Sequence, residues 1–249
     1  MDFPREAQGL MRVDVLEGVA AGPVPTAVAR RERLVELRRQ VLALVRDEGL
    51  LAARASWRIV ALRSEPDASG WLDLDGGRLQ APRLVPASGR LTGVACAAAT
   101  LGDAIERRIA GFFAERRASL AVALDAVANE LLFALSRRVQ DRLLAAARKR
   151  GLCVAGELRA GDPGLALDAQ RTVLALAGAE TLGVWLSSAL MMSPNKSTSF
   201  IQGVGLDLPH EAWSRCDACR FRERCALLSD PAFKPRNRAR AAASTQEIA

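Results

Sequence analysis

The sequence is first informative for what it has little of. Aromatic residues make up 4% of the 249 residues, there is no tyrosine, and His210 is the single histidine. A catalytic metal site built on two or more histidines of this chain is therefore excluded. No charged, apolar and small-residue leader is expected at the start, and no uninterrupted apolar run is long enough to span a bilayer. We therefore expect a cytoplasmic protein without a membrane partner.

Acidic residues are also in deficit, with 28 Asp and Glu against 35 Lys and Arg, a net charge of +7. A basic balance can indicate a nucleic-acid partner. However, much of the excess lies in the last stretch, between Lys234 and Arg240, and the other charges alternate in sign along helical patterns. The distribution favours a solvated surface over nucleic-acid binding.

The order of the elements that the patterns predict indicates an α+β fold. Helices are expected over 27–48, from Asp103 onward, over 119–150 and after Asp168, and strands over 56–62, 71–75, 91–99, 181–192 and 199–205. A helix followed by strands and then by mixed alternation is typical of a mixed or largely antiparallel, curved sheet with flanking helices. We expect this domain over residues 1–205, a cysteine-cluster segment packed on it over 206–233, and a basic, disordered tail over 234–249.

Three helix starts carry capping signals. Thr26 follows two prolines and is the expected N-cap of the first helix. Asp103 and Glu106 stand in the spacing of a capping box, and Asp168 is the expected cap of a short helix that Gly178 ends.

Two loops each combine a cation with small or polar residues. One is Arg159-Ala-Gly-Asp-Pro-Gly164, and the other is Met191-Met-Ser-Pro-Asn-Lys-Ser197. If the strand order brings them together, Arg159 and Lys196 can form a site for a small anionic or zwitterionic ligand. The alternative is two ordinary turns whose cations are solvated.

Three of the five cysteines form a cluster, in which two residues separate Cys216 from Cys219 and five separate Cys219 from Cys225. This spacing can place three thiolates around one metal centre. The centre can be zinc or an iron–sulfur cluster with an open iron. The alternative is three reduced thiols or a redox-active pair. The candidates for a fourth ligand are His210, Cys96, Cys153 or an exogenous group.

Several segments, in a fixed order, resemble the activation domain of vitamin B12-dependent methionine synthase, in the form of a stand-alone relative with a C-terminal cysteine cluster. The resemblance covers about residues 91 to 225. The matching segments are Thr100-Leu-Gly102, the long helix with Asp125-Ala126, the loop from Arg159 to Gly164, Gln170, Gly183-Val-Trp-Leu-Ser-Ser188, Met191 to Ser197, and Gly203-Val-Gly205.

The resemblance implies an activity that composition does not. The family's domain binds S-adenosylmethionine and docks onto a cobalamin-bearing domain, where cob(II)alamin is reduced by a flavodoxin- or ferredoxin-like donor and remethylated. This chain has no cobalamin-binding Asp-x-His-x-x-Gly segment, so B12 would arrive on a partner. We therefore expect an accessory protein that supports reactivation, in trans, of a B12-dependent methionine synthase or another corrinoid methyltransferase. Whether the chain is itself an enzyme, as a methyltransferase component, stays open.

The resemblance also implies roles for individual residues. Arg159 matches the arginine that meets the ligand's carboxylate, and Leu165 stands where the family usually has tyrosine. The residues implied to bind S-adenosylmethionine are Arg159, Asp162, Pro163, Gly164 and Leu165. The residues implied to face cobalamin are Pro194, Lys196, Ser197 and Ser199.

Two other hypotheses remain open. In one, the same fold no longer binds S-adenosylmethionine, and Cys216, Cys219 and Cys225 hold an iron–sulfur centre or zinc in a redox module. In the other, the cysteine cluster and the basic tail bind nucleic acid.

Overall fold

A five-stranded antiparallel sheet organises the part of the chain that the structure, a computed structural model, describes, residues 7–209. Its strand order is β1-β2-β5-β9-β6. The strands are β1 (Ala7–Arg12), β2 (Arg54–Ala61), β5 (Arg90–Thr100), β6 (Cys153–Leu158) and β9 (Ser197–Leu206). Two small hairpins, β3 (Trp71–Leu74) with β4 (Gly77–Gln80) and β7 (Trp185–Leu186) with β8 (Met192–Ser193), lie outside it. The expected α+β fold with an antiparallel sheet and flanking helices is confirmed.

The central strand β5 is buried on both faces, and most of its side chains are small. Ala95, Ala97 and Ala99 contribute to one hydrophobic core, and Cys96 and Ala98 to the other. Since successive side chains of a strand point to opposite faces, this alternation separates the molecule into two layers of packing. Small side chains here allow helices to approach the sheet closely from both sides.

Most of the helices pack on the first face. They are α1 (Leu16–Ala20), α3 (Glu32–Asp47), α4 (Ala104–Ala114) and α5 (Ala118–Arg148). The short helix α2 (Thr26–Ala29) has no buried residue and contacts α3 instead. An apolar stripe on α5 is buried in this core: Leu120, Leu124, Val127, Leu131, Leu135 and Val139. Arg38 on α3 is nearly buried and pairs with Glu130 on α5 at 2.8 Å, which fastens the two helices together.

The helix α6 (Gln170–Ala177), the β3–β4 hairpin and a 3₁₀ turn, Ala179–Leu182, cover the second face. Gly178, with a left-handed φ of 68°, ends α6 as expected. By length and composition alone, one helix within residues 7–209, α5, would also suit a membrane crossing. Its apolar stripe is instead buried against the sheet.

Some local predictions were wrong in whole or in part. Thr26 is the first residue of the four-residue α2 rather than an N-cap, and the chain breaks before α3 begins at Glu32. Asp103 is the N-cap of α4, as expected, but it makes no capping hydrogen bond, and its carboxylate pairs with Arg107. Asp168 does not cap α6, since it lies within a 3₁₀ turn, Leu167–Ala169, and α6 begins at Gln170. The run over 181–192 is not one strand, since a 3₁₀ turn and a short hairpin replace it.

The expected division into segments at 205 and 233 falls mostly on residues 210–249, which lie outside the described residues, so it stays a prediction. His210 and the cysteines at 216, 219 and 225 also lie outside them.

Candidate functional site

The ends of three strands meet at one edge of the sheet. Thr100 ends β5 and lies opposite Ser197, which begins β9, and the Ser197 hydroxyl donates to Thr100 Oγ1 at 2.8 Å. Leu101 N donates to the Lys196 carbonyl at 2.9 Å. β6 runs antiparallel to β9 and ends at Leu158, opposite Ile201. The strand order therefore brings the Arg159 loop and the Lys196 loop to the same edge.

Arg159 lies where β6 ends, and its guanidinium contacts side chains of β6, α5 and β9. Nε and Nη2 donate to Glu157 Oε1 at 3.1 and 3.0 Å, and Nη2 also donates to Ser136 Oγ on α5 at 3.0 Å. Nη1 donates to the hydroxyl of Thr198 on β9. The guanidinium carbon lies 5.7 Å from the centre of the Phe200 ring. The side chain is 17% exposed, so this is a shielded cation with a fixed orientation.

The loop after Arg159 is held closed by its own hydrogen bonds. Asp162 accepts from Arg159 N through Oδ2 at 2.9 Å and donates its own N–H to the Arg159 carbonyl at 2.9 Å. Leu165 N donates to Asp162 O at 3.0 Å, and Gly161 N donates to Leu165 O at 2.9 Å. Pro163 stands between these bonded residues, so Asp162, Pro163 and Gly164 form a compact turn.

Gly164 has a φ of +91°, which side-chain-bearing residues rarely adopt. A Cβ atom there would lie 2.8 Å from the side chain of Arg83. Leu165, which follows, is 1% exposed and belongs to the second hydrophobic core. Its side chain therefore offers a ligand no exposed surface, in contrast to the role that the resemblance implied for this position.

Lys196 is also paired. Its Nζ lies 2.7 Å from Asp125 Oδ1 and donates to Asn129 Oδ1 at 2.9 Å, and its side chain is 13% exposed. Next to it, Asn195 N donates to Glu106 Oε2 at 2.7 Å. Lys196 thus ties the start of β9 to α5, and Glu106 ties the same loop to α4.

The other residues expected to face cobalamin are unequal in exposure. Ser197 and Ser199 are buried, at 7% and 3% exposed, and Pro194 is half-buried. The hydroxyl of Ser197 is occupied by Thr100. Among the four residues implied for this role, Pro194 and the shielded Lys196 are therefore the two that retain a partly exposed side chain.

Arg159 and Lys196 both bind side chains of α5. Asn129, which binds Lys196, and Ser136, which binds Arg159, are seven residues apart on α5, or about 10 Å along the helix axis. The condition for a shared site, that the strand order brings the two loops to one edge, is met. Both cations are paired and shielded rather than solvated.

Sequence reasoning missed the partners of Arg159. Glu157 and Arg159 are two residues apart, which places them on one face of an extended strand, and this spacing was the available signal. Glu157 Oε2 also accepts from Gln140 Nε2 at 2.8 Å. Ser136 and Gln140 are polar, buried and one turn apart on α5, a second signal within an apolar stripe.

The hairpin that leads into the Lys196 loop exposes two large apolar side chains. Trp185 in β7 is 60% exposed, and Met191, just before β8, is 64% exposed. The loop between the strands has Leu190 at a φ of +62°, and the Gln170 side chain on α6 donates to the Leu190 carbonyl at 2.9 Å. The hairpin is thus held in place while its outer face stays uncovered by the described residues.

The described cysteines differ in environment. Cys96 is fully buried in the second core, and burial raises the pKa of its thiol to about 12. Cys153 is half-buried in β6, opposite Gly205. No group of three potential metal ligands occurs within residues 7–209. The predicted metal ligands Cys216, Cys219 and Cys225 lie outside that range, so the metal site stays a prediction.

Comparison with known proteins identifies a similar fold among solved structures. No protein-family model matches the chain, and no curated protein matches its sequence. Among solved structures, the crystal structure of the MetH reactivation domain bound to AdoHcy is similar, with a TM-score of 0.61 and 14% sequence identity. The similarity covers 83% of this chain and 81% of that chain. At this identity it shows a shared fold: residues 7–209 have the α+β architecture of the MetH reactivation domain.

Proposed function

We propose that the protein is an accessory reactivation protein that binds S-adenosylmethionine and acts on a cobalamin-bearing methyltransferase, such as a B12-dependent methionine synthase. The observation that carries the proposal is the shielded Arg159 at the strand edge of a fold shared with the MetH reactivation domain. That domain was crystallised with AdoHcy, the demethylated form of S-adenosylmethionine. The cob(II)alamin, its electron donor and the partner enzyme all belong to this proposal.

The residues at the edge fit the amino-acid end of such a ligand. Arg159 supplies a guanidinium whose planar fork suits a carboxylate, and Glu157 supplies an adjacent negative charge. The turn at Asp162 and Gly164 fixes the backbone beside them. S-adenosylmethionine supplies an electrophilic methyl group, and the chain's task is to hold it in a defined direction.

The exposed hairpin supports a protein partner. Trp185 and Met191 are large, apolar and exposed on the hairpin that leads into the Lys196 loop. Aromatic residues are enriched in the centres of protein interfaces. We propose that this face meets the corrinoid protein, whose cobalt must approach the bound methyl group.

Ligand binding is tested by titration calorimetry of the full chain with AdoHcy. We expect saturable binding that weakens at least about tenfold, or about 1.4 kcal/mol, in Arg159→Ala. Arg39→Ala is the control, because Arg39 forms an exposed pair with Glu36 on α3. Equal binding by both variants, or no binding by the natural sequence, would contradict the proposal.

Partner binding is tested by adding the protein to a B12-dependent methionine synthase that lacks its own reactivation domain. We expect recovery of methylcobalamin from cob(II)alamin in the presence of S-adenosylmethionine and a flavodoxin or ferredoxin. Trp185→Ala should reduce recovery and leave AdoHcy binding intact. No recovery with any donor would count against a reactivation role.

A second candidate function is a metal or redox module in which Cys216, Cys219 and Cys225 hold iron or zinc. Cys153 is a candidate fourth ligand, since it pairs with Gly205 near the end of β9, from which the sequence continues toward Cys216. Metal content and the visible spectrum of protein purified without oxygen test this candidate. Iron or zinc that is lost in Cys153→Ser but kept in Cys96→Ala would support it, and metal-free, colourless protein would remove it.

A further inference from the structure

We infer that Glu157 and Arg159 form an internal pair that an α-amino-acid ligand divides, with its carboxylate on Arg159 and its ammonium on Glu157. The inference rests on the proposed function and concerns what the same site selects. Glu157 is then the residue that makes the site specific for zwitterions over simple anions.

The pair is unusual among the described ion pairs because it is shielded and local. Its side chains are 17% and 21% exposed, whereas those of the local pair Arg39–Glu36 are 76% and 61% exposed. The comparably shielded pair Arg38–Glu130 joins two helices. Glu157 and Arg159 are two residues apart on one strand end, so their pairing links no distant elements.

The hydrogen bonds of Arg159 leave little room for an added carboxylate. A guanidinium has five N–H donors, and the bonds to Glu157, Ser136 and Thr198 use four of them. A carboxylate binds an arginine best through two parallel N–H groups. A carboxylate can therefore bind only if one of the present acceptors releases Arg159. We expect Glu157 to be displaced, because its Oε1 accepts two of the N–H groups and its charge repels an incoming anion.

Displacement leaves the carboxylate of Glu157 in a shielded position. Its Oε2 stays fixed by Gln140 Nε2 at 2.8 Å, so the group does not swing away into solvent. A shielded carboxylate without a cationic partner is strongly disfavoured. A ligand ammonium restores the charge balance at Glu157. It can reach Glu157 while the carboxylate binds Arg159, because in an α-amino acid one carbon separates the two groups.

A second acceptor lies on the same face of the sheet. Gln202 is 8% exposed, and its Nε2 donates to Gly156 O at 3.1 Å. Its Oε1 is buried and accepts no hydrogen bond from the described residues. The α5-facing side of β9 thus holds one unused buried acceptor, Gln202 Oε1, which suits an N–H-bearing ligand group.

The experiment compares AdoHcy with N-acetyl-AdoHcy, which keeps the carboxylate and loses the ammonium, by calorimetry on the full chain and on Glu157→Gln. In the natural sequence we expect acetylation to weaken binding at least about tenfold. In Glu157→Gln we expect the two ligands to differ less than about threefold, and N-acetyl-AdoHcy to bind more tightly than it does to the natural sequence.

Glu36→Gln is the matched control, since it removes the acid of a local but exposed ion pair and should keep the natural ratio. The same ratio of affinities in the natural sequence and in Glu157→Gln would overturn the inference and leave the proposed function standing. Binding of both ligands by Glu157→Gln alone would also overturn it, because Glu157 would then only block the site. Binding of AdoHcy by neither protein would overturn the proposed function itself.

Discussion

At the scale of single residues, Arg159 shows how one side chain defines a site. It joins the end of β6 to α5 through Ser136 and to β9 through Thr198, while Glu157 balances its charge. Hydrogen bonds in which one partner is charged are stronger than neutral ones. The position of this guanidinium is therefore fixed by three elements before any ligand arrives.

Cys96 leads to a prediction about pH. Burial raises the pKa of its thiol from 9.0 to about 12, so the folded state keeps the proton where the unfolded chain loses it. The contribution of this thiol is fully present below pH 9 and is lost as the pH rises toward 12. We expect the free energy of unfolding to fall by about 1.4 kcal/mol per pH unit from this group above pH 9.

The measurement is urea unfolding at pH 8 and pH 10.5. Cys96→Ala should show a shallower loss between the two pH values than the natural sequence, because it carries no thiol at that position. Identical slopes would mean that Cys96 ionises with a normal pKa in the folded protein.

Gly164 leads to a prediction about the Arg159 loop. Alanine there must adopt a φ of +91° and displace the side chain of Arg83, so we expect Gly164→Ala to lower the free energy of unfolding by about 1–3 kcal/mol. Gly151→Ala is the matched control, because Gly151 also has a positive φ, of 68°, but has open space around it. The difference between the two melting temperatures isolates the contact with Arg83, and no difference would dismiss it.

At the scale of elements, much of the fold could be predicted from the sequence because the patterns are local. The unbroken run of small apolar residues in β5 and the stripe on α5 each specify their element without distant partners. The expected strand over 181–192 was wrong because Gly178 and Gly183, at φ of 68° and 73°, enclose a 3₁₀ turn. In addition, Leu190 turns the chain at a positive φ with no glycine or proline to mark it.

The candidate site was predictable only in part, since its partners are distant in sequence. Arg159 and Lys196 were identified from their loops, but Ser136 and Thr198 come from other elements. Glu106, expected in a capping box, instead accepts from the Asn195 backbone, 89 residues away. Hydrogen bonds of this range depend on how helices sit on the sheet, which no short motif records.

The contribution of the contact between α5 and the loop before β9 can be measured by a substitution at Lys196. Lys196→Met keeps the apolar stem and removes the ammonium that pairs with Asp125 and Asn129. Because Asp125 is half exposed, we expect a loss of about 1 kcal/mol in the free energy of unfolding, and a smaller loss in high salt.

A double-mutant cycle with Asp125→Asn, followed by chemical denaturation, checks this contact. The effects of the two substitutions should be less than additive, because each removes the same interaction. Additive effects would show that the two side chains do not stabilise each other.

At the scale of the whole molecule, the strand order explains why the loops of Arg159 and Lys196 lie at the same edge. In the order β1-β2-β5-β9-β6, the antiparallel run of three neighbouring strands puts the end of β5, the start of β9 and the end of β6 at one edge. The similarity to the MetH reactivation domain extends over 83% of the chain at 14% identity. The architecture therefore persists where most side chains differ.

The helix α5 has a consequence for the order in which parts of the protein open. Its 31 residues hold Lys196 through Asp125 and Asn129, and Arg159 through Ser136. Neither loop can detach from the helix without losing a charged hydrogen bond, so both belong to one cooperative unit with it. The amides of Leu101 and Leu165 donate the backbone hydrogen bonds that close the two loops. In native-state hydrogen exchange, these two amides should exchange almost as slowly as those at the centre of α5. They should exchange much more slowly than the amides of β1, the outer strand on the other side of the sheet.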